Sequence, residues 1–254
     1  MTRRLNGPLP EAANFQTLRM RPQNSRSRYA LRFTHGDERE TMQQIDHRVI
    51  KLVVGVIAVS LALFMQIASG EPLRSISESY HYQARDLFVG LLFAVAALFL
   101  SFRGSNRFER KLTILASRCT ALVAVAPCEC ARPASPLSAL HFPAAAGVFA
   151  IMGYFCWRFR RTALSKVEWY PEAGNRAHVY TACLLGMIAC GIMAGAYGLA
   201  GPQIDAAFPN YVFWLEATGL VSFGVSWLTA SKTIPVITNP RERYHLRAAR
   251  AEED

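Results

Sequence analysis

The chain has 254 residues, 52% of them hydrophobic and only 18% charged, where an ordinary soluble domain is about a quarter charged. The charges are also segregated from long apolar blocks, which excludes a soluble globular protein. The formal net charge of +10 belongs to no recognisable binding module, which excludes nucleic acid as a partner.

The first 48 residues are rich in Arg, Asn, Gln and Pro. They lack a sustained apolar period, so they read as a disordered basic leader in the cytoplasm, where anionic lipid attracts such an arm. Met42 offers a second start, from which the chain would enter a helix directly.

Crossing about 30 Å of hydrocarbon takes about 20 apolar residues in a helix. Six blocks meet or approach that length: Val49–Ser69, Leu87–Phe102, Leu112–Pro127, Leu140–Trp157, Val179–Ala200 and Tyr211–Ala230. The third contains Arg118, whose long side chain is expected to reach back toward the cytoplasm. The predicted fold is all-α, a polytopic transmembrane six-helix bundle over residues 49–230, with a cytoplasmic tail over 231–254.

Orientation follows from the basic residues, because cytoplasmic loops next to membrane helices carry the excess of Lys and Arg. The leader through Lys51, the second and fourth connections and the tail hold 24 of them; the alternate segments hold Arg74, Arg85 and Arg132. An odd number of spans would scramble this alternation. Both termini are therefore predicted inside.

Within the fifth block, Gly191 and Gly195 form a small-xxx-small pair, which lets helix backbones approach closely. Packing inside the bundle is the favoured use, with a homo-oligomer contact as the alternative. Gly219 and Gly224 in the sixth block are given the same packing role. Cys119, Cys156, Cys183 and Cys190 lie in apolar blocks and read as small hydrophobes rather than a disulfide framework. Cys128 and Cys130, in Cys-Glu-Cys, fall short of a zinc signature.

The polar residues concentrate at the outer ends of the blocks. Ser77, His81, Arg85 and Asp86 precede the second, His141 opens the fourth, and Glu216 lies within the sixth, about 9 Å along the helix from Asn210. Each has a plain reading: Asp86 as a helix cap, His141 as an interfacial residue, Tyr80 and Tyr82 as part of an aromatic belt. Glu216 is the exception, since a carboxylate inside a span needs a partner or a water-filled cavity. A pairing with His141 or Arg85 is the expectation, within an outward-facing polar pocket that binds a ligand or a proton, as in a small transporter or sensor. The other functional class is a structural partner that packs against another membrane protein.

The stretch from Ser75 to Gly90 (SISESYHYQARDLFVG), with Phe213-Trp214-Leu215-Glu216 and Phe223-Gly224-Val225-Ser226-Trp227, resembles a family of uncharacterised bacterial six-helix membrane proteins. The resemblance covers roughly residues 42 to 229, leaves out the leader and the 128–136 loop, and implies a multi-pass protein of the bacterial inner (plasma) membrane. Ser77, Asp86 and His141 are more distantly similar to the membrane metal hydrolases that include alkaline ceramidases and adiponectin receptors. That likeness implies lipid hydrolysis with zinc held by His81, Asp86 and His141, although the late histidine pair of those enzymes is absent. The first reading needs no cofactor and no metal.

Overall fold

A computed structural model describes residues 24–128 and 136–238, with side chains from residue 47 onward. The chain divides into two compact units, Met1–Met42 and Gln43–Asp254. In the first, residues 24–42 are helical. The leader read as disordered is thus helical over 24–48, consistent with its Arg, Leu, Met and Glu, all good helix formers. Residues 1–23 and most of the tail lie outside the described residues.

Among the described residues every regular element is helical: α1 (Asn24–Ser69), a 3-10 helix (Ile76–His81), α2 (Arg85–Ser101), α3 (Arg107–Val125), α4 (His141–Leu164), α5 (Glu172–Ala207) and α6 (Tyr211–Ser231), with two short 3-10 turns. Four segments are long and apolar enough to cross a membrane: His47–Ser69, Ser138–Leu164, Glu172–Ala207 and Tyr211–Ser231. They make this a helical transmembrane protein. The other two helices miss for different reasons. α2 is uncharged from Leu87 onward but has only 17 residues; α3 has 19, with Arg107, Glu109, Arg110 and Lys111 in its opening turns and an exposed Arg118 farther on.

The α2–α3 turn shows how local chemistry sets a boundary. Gly104 adopts φ +60, a left-handed conformation that costs glycine nothing. Asn106 then caps α3 by accepting from the Glu109 amide at 2.8 Å. Glu109 in turn accepts from the Ser105 amide at 2.6 Å and from Arg158 Nε of α4 at 2.7 Å. This buried carboxylate ties the turn to α4. Glu109→Ala would leave these donors without their acceptor and is expected to cost about 1–3 kcal/mol, read as a lower unfolding midpoint of the purified protein.

Helix contacts run α2 to α3, α3 to α4, α4 to α5 and α5 to α6. α1 meets α6 through a backbone contact at two glycines. A Cβ on Gly224 would come within 2.6 Å of Val59 and 2.8 Å of the Gly55 carbonyl; one on Gly55 would meet Leu228 and Gly224 at 2.8–3.0 Å. A Cβ on Gly219 would sit 2.6 Å from the Phe149 ring. Gly219 and Gly224 therefore have the packing role read from the sequence, and Gly55 joins them. Gly224→Ala pushes against backbone that cannot yield, and a loss of about 1–3 kcal/mol is expected by overpacking, measurable by detergent-titration unfolding.

Gly191 and Gly195 differ. Among the described residues an added Cβ meets nothing within 4 Å at either position, so packing among them does not use these glycines. Their helix, α5, leaves much of its surface uncovered, with Leu185, Ile192 and Leu199 exposed. It bends at Ala200, whose φ/ψ of −134/27 is not helical, two residues before Pro202; proline lacks the amide for the ladder and crowds the preceding turn.

The core at the basic end of the bundle is aromatic. Trp227 is fully buried and contacts Phe99, Phe102, Phe155, Phe159 and Phe223 at centroid distances of 5.2–6.0 Å. Lys51 of α1 lies against the same group, its Nζ 5.5 Å from the Phe102 ring and 5.2 Å from the Phe159 ring, where the π-faces attract a cation.

Candidate functional site

At the opposite end, the segment between α1 and α2 turns in over the bundle as the 3-10 helix. Ser75 caps it, its Oγ accepting from the Ser77 amide at 3.1 Å, and Glu78 accepts from the Arg74 amide at 2.7 Å. Ser75 and Glu78 thus each satisfy one amide at the start of the 3-10 helix. The segment is then docked from outside itself. Glu216 of α6 accepts from Ser75 Oγ at 2.9 and 3.0 Å and from the Ile76 amide at 2.6 Å, and the Phe213 amide donates to the Arg74 carbonyl at 2.7 Å. A carboxylate at the amino end of a short helix meets its unsatisfied amides and the positive end of its dipole. Ser75, Ile76, Ser77, Glu78 and Ser79 are all buried.

Beneath this segment lies a cavity of about 80 Å³. Four helices wall it with two-turn stretches: Val54 to Leu61 of α1, Phe88 to Val95 of α2, Ala145 to Met152 of α4 and Glu216 to Phe223 of α6. Each stretch is about 10 Å long at about 1.5 Å per residue. α3 contributes Thr120 and Val123, and the 3-10 helix contributes Ile76 and Ser77. The walls are aliphatic and aromatic apart from Glu216, Ser77 and Thr120. Small side chains at Ala58 and Ala145 leave the space open. Left empty, a void of this size costs about 2 kcal/mol at about 24 cal/mol per Å³.

Thr120 is 2% exposed, and its hydroxyl has no hydrogen-bond partner. Threonines in helices commonly bond the carbonyl one turn back, as Thr181 does to Ala177 at 2.8 Å. Thr120 lines the cavity without that bond.

The six residues singled out by sequence divide into two groups and an outlier. Ser77 and Glu216 come together at the cavity. His81, His141 and Arg85 lie around the end of α3 and its neighbours: His141 Nδ1 bonds the Ala126 carbonyl at 2.6 Å, and His81 Nε2 bonds the Cys128 carbonyl at 3.1 Å. A carbonyl only accepts, so both of these ring nitrogens carry the hydrogen, and the two histidines satisfy carbonyls left open beyond a helix C-terminus. Arg85 lays its guanidinium over the Tyr80 ring at 4.7 Å. Asp86 is the outlier, exposed in the first turn of α2 and outside the cavity lining. The pairing of Glu216 with His141 or Arg85 is not formed; Glu216 takes its donors from Ser75 and Ile76, which lie nearer in the docked segment.

Among the described residues no three His, Cys, Asp or Glu side chains are grouped to hold a metal ion, so His81, Asp86 and His141 are not assembled as a zinc site. Cys128 is disulfide-bonded, whereas Cys119, Cys156, Cys183 and Cys190 are free; Cys130 lies outside the described residues.

Sequence reasoning missed two residues that shape this site. Ser75 was legible as the first residue of Ser-x-x-Glu. Thr120 carried no signal, because nothing in an apolar block tells a threonine that bonds its own helix from one that does not. Neither the protein-family models nor the curated proteins nor the solved structures contain a match to this chain.

Proposed function

We propose that this chain is a six-span protein of the bacterial inner membrane, with both termini in the cytoplasm, that binds a small ligand in the cavity beneath the 3-10 helix. It acts as a small transporter or sensor rather than a hydrolase. The observation that carries this reading is Glu216: an intramembrane carboxylate that both docks the covering segment and lines the space below it. Intramembrane carboxylates face partners or pathways because exposure to lipid is costly.

Three observations support the topology. α2 extends about 25 Å at about 1.5 Å per residue, enough for a thinned bilayer, and the charged turns of α3 lie at the end assigned to the cytoplasm by the 24 basic residues. A disulfide at Cys128 also suits the outer face, since such bonds persist outside the reducing cytosol. In a cysteine-free background, Glu71→Cys and Gln203→Cys are expected to react with an impermeant thiol reagent added outside intact cells. Arg107→Cys and Ser165→Cys are expected to react only after permeabilisation. Reversed labelling would overturn the orientation.

The binding reading is tested with six-carbon probes. The full chain in lipid nanodiscs, immobilised on scintillant beads, is expected to bind tritiated hexylamine or hexan-1-ol saturably. Ala145→Leu, which fills the cavity, is expected to abolish that binding and raise the unfolding midpoint. Only linear, non-saturable uptake of both probes, equal in wild type and Ala145→Leu, would refute a ligand cavity.

A further inference from the structure

α3 has two unlike faces. Thr113, Ala116, Thr120 and Ala124 turn into the bundle and are buried, whereas Phe108, Lys111, Leu115, Arg118 and Val125 are exposed along the opposite side at helical spacing. Arg118 stands in the middle of that outer stripe. Among the described residues its guanidinium makes no hydrogen bond, ion pair or ring contact. Lys111 and Val125, at the two ends of the apolar stretch, are each two turns and about 10 Å away along the helix, so neither layer of lipid headgroups lies at its level. Beside it, Cys119 packs on α4, where a Cβ on Gly147 would lie 3.4 Å from the thiol sulfur. That register brings Ala146 and Ala150, exposed on α4, near the depth of Arg118. At Gly153 an added Cβ meets nothing within 4 Å among the described residues, and the Phe108 and Tyr154 rings, 5.7 Å apart, bound the cytoplasmic end of this face.

An arginine facing hydrocarbon is unfavourable, and a guanidinium does not neutralise itself as a carboxylic acid does; inside a membrane such residues pair with an opposite charge. The guanidinium fork matches a carboxylate through two parallel bonds. Small residues let a neighbouring helix backbone come close where lipid offers no hydrophobic drive for association. A second copy does not supply the acid. Two identical α3 faces meeting about a twofold axis would set Arg118 against Arg118, and Glu216, the single Asp or Glu within the six apolar blocks, is engaged by Ser75 and Ile76 of its own chain. Resting on the six-span topology above but not on the ligand cavity, we infer that the α3–α4 face is the docking surface for a transmembrane helix of another protein, one that carries an Asp or Glu at mid-depth to pair with Arg118.

The probe is a Lys-flanked leucine peptide of about 20 apolar residues with one central Asp and an acceptor dye, mixed in lipid vesicles with the donor-labelled full chain. Energy transfer is expected to saturate about tenfold more tightly for the Asp peptide than for the same peptide with a central Leu. Arg118→Leu is expected to abolish that difference, and Arg118→Asp to shift the preference to a peptide with a central Arg. Equal binding of the Asp and Leu peptides to wild type, or an Asp preference that survives Arg118→Leu, overturns the assignment. So does a preference for phosphatidylglycerol over phosphatidylcholine that Arg118→Leu removes while no Asp preference exists, because a lipid phosphate would then be the partner. Arg118→Cys in a cysteine-free background tests the span separately. On inside-out vesicles it is expected to react with an impermeant thiol reagent far more slowly than Arg107→Cys; equal rates would place position 118 in water, and the span reading falls together with this inference.

Discussion

Glu216→Leu is expected to release the 3-10 helix from the bundle. The leucine fills similar space but accepts nothing, so the buried Ile76 amide and Ser75 hydroxyl lose their acceptor. At about 1–3 kcal/mol for each unsatisfied buried donor, the loss is about 4 kcal/mol. That corresponds to roughly a thousandfold increase in local opening, at tenfold per 1.4 kcal/mol. A cysteine at buried Ser79, in a cysteine-free background, reports it directly: alkylation is expected to be slow beside wild-type Glu216 and roughly a thousandfold faster beside the leucine. Glu216→Gln retains one acceptor and is expected to open the segment far less. Equal alkylation rates for all three chains would show that other contacts, such as the Phe213 amide on the Arg74 carbonyl, suffice to hold the segment.

The second large effect lies at the other end of the bundle. Trp227→Ala removes a fully buried indole from the centre of five aromatic rings contributed by α2 and the residue that follows it, α4 and α6. Truncations of this size typically cost about 3–5 kcal/mol, because the surroundings close only partly over the void. Here the rings belong to three helices, so collapse would require those helices to shift. Unfolding in a detergent titration is expected to show a correspondingly lower midpoint. Trp227→Phe is expected to cost less, and it also removes an indole N–H that has no hydrogen-bond partner. A stability unchanged by Trp227→Ala would mean that the aromatic cluster does not hold these helices together.

Much of the helix layout was legible because hydrocarbon leaves the backbone few choices. Inside a bilayer every amide must be satisfied within its own segment, so uncharged apolar runs become helices. The expected block Tyr211–Ala230 is the helix Tyr211–Ser231, and Val49–Ser69 matches the apolar segment His47–Ser69. Blocks flanked by charge were read too short: α5 runs from Glu172 to Ala207 where Val179–Ala200 was expected, since helix continues into polar flanks that hydropathy discounts. The close contacts at Gly219 and Gly224 were legible, whereas the use of Gly191 and Gly195 was not. A small residue permits a close approach, but only the rotation of its helix decides whether anything approaches.

The sequence by itself determined an all-helical transmembrane chain, the segregation of its basic residues, and the singular position of Glu216 inside a span. Those follow from composition and near-neighbour chemistry, which act over a few residues. Only the tertiary structure decided what Glu216 touches, that His81 and His141 serve carbonyls beyond the end of α3 instead of joining it, that Asp86 stays exposed, and that the Thr120 hydroxyl is buried and unused. The reason is geometric. Helix starts that share one level of a bundle can lie on different sides of it, and rotations of a few tens of degrees about each helix axis decide which side chains meet.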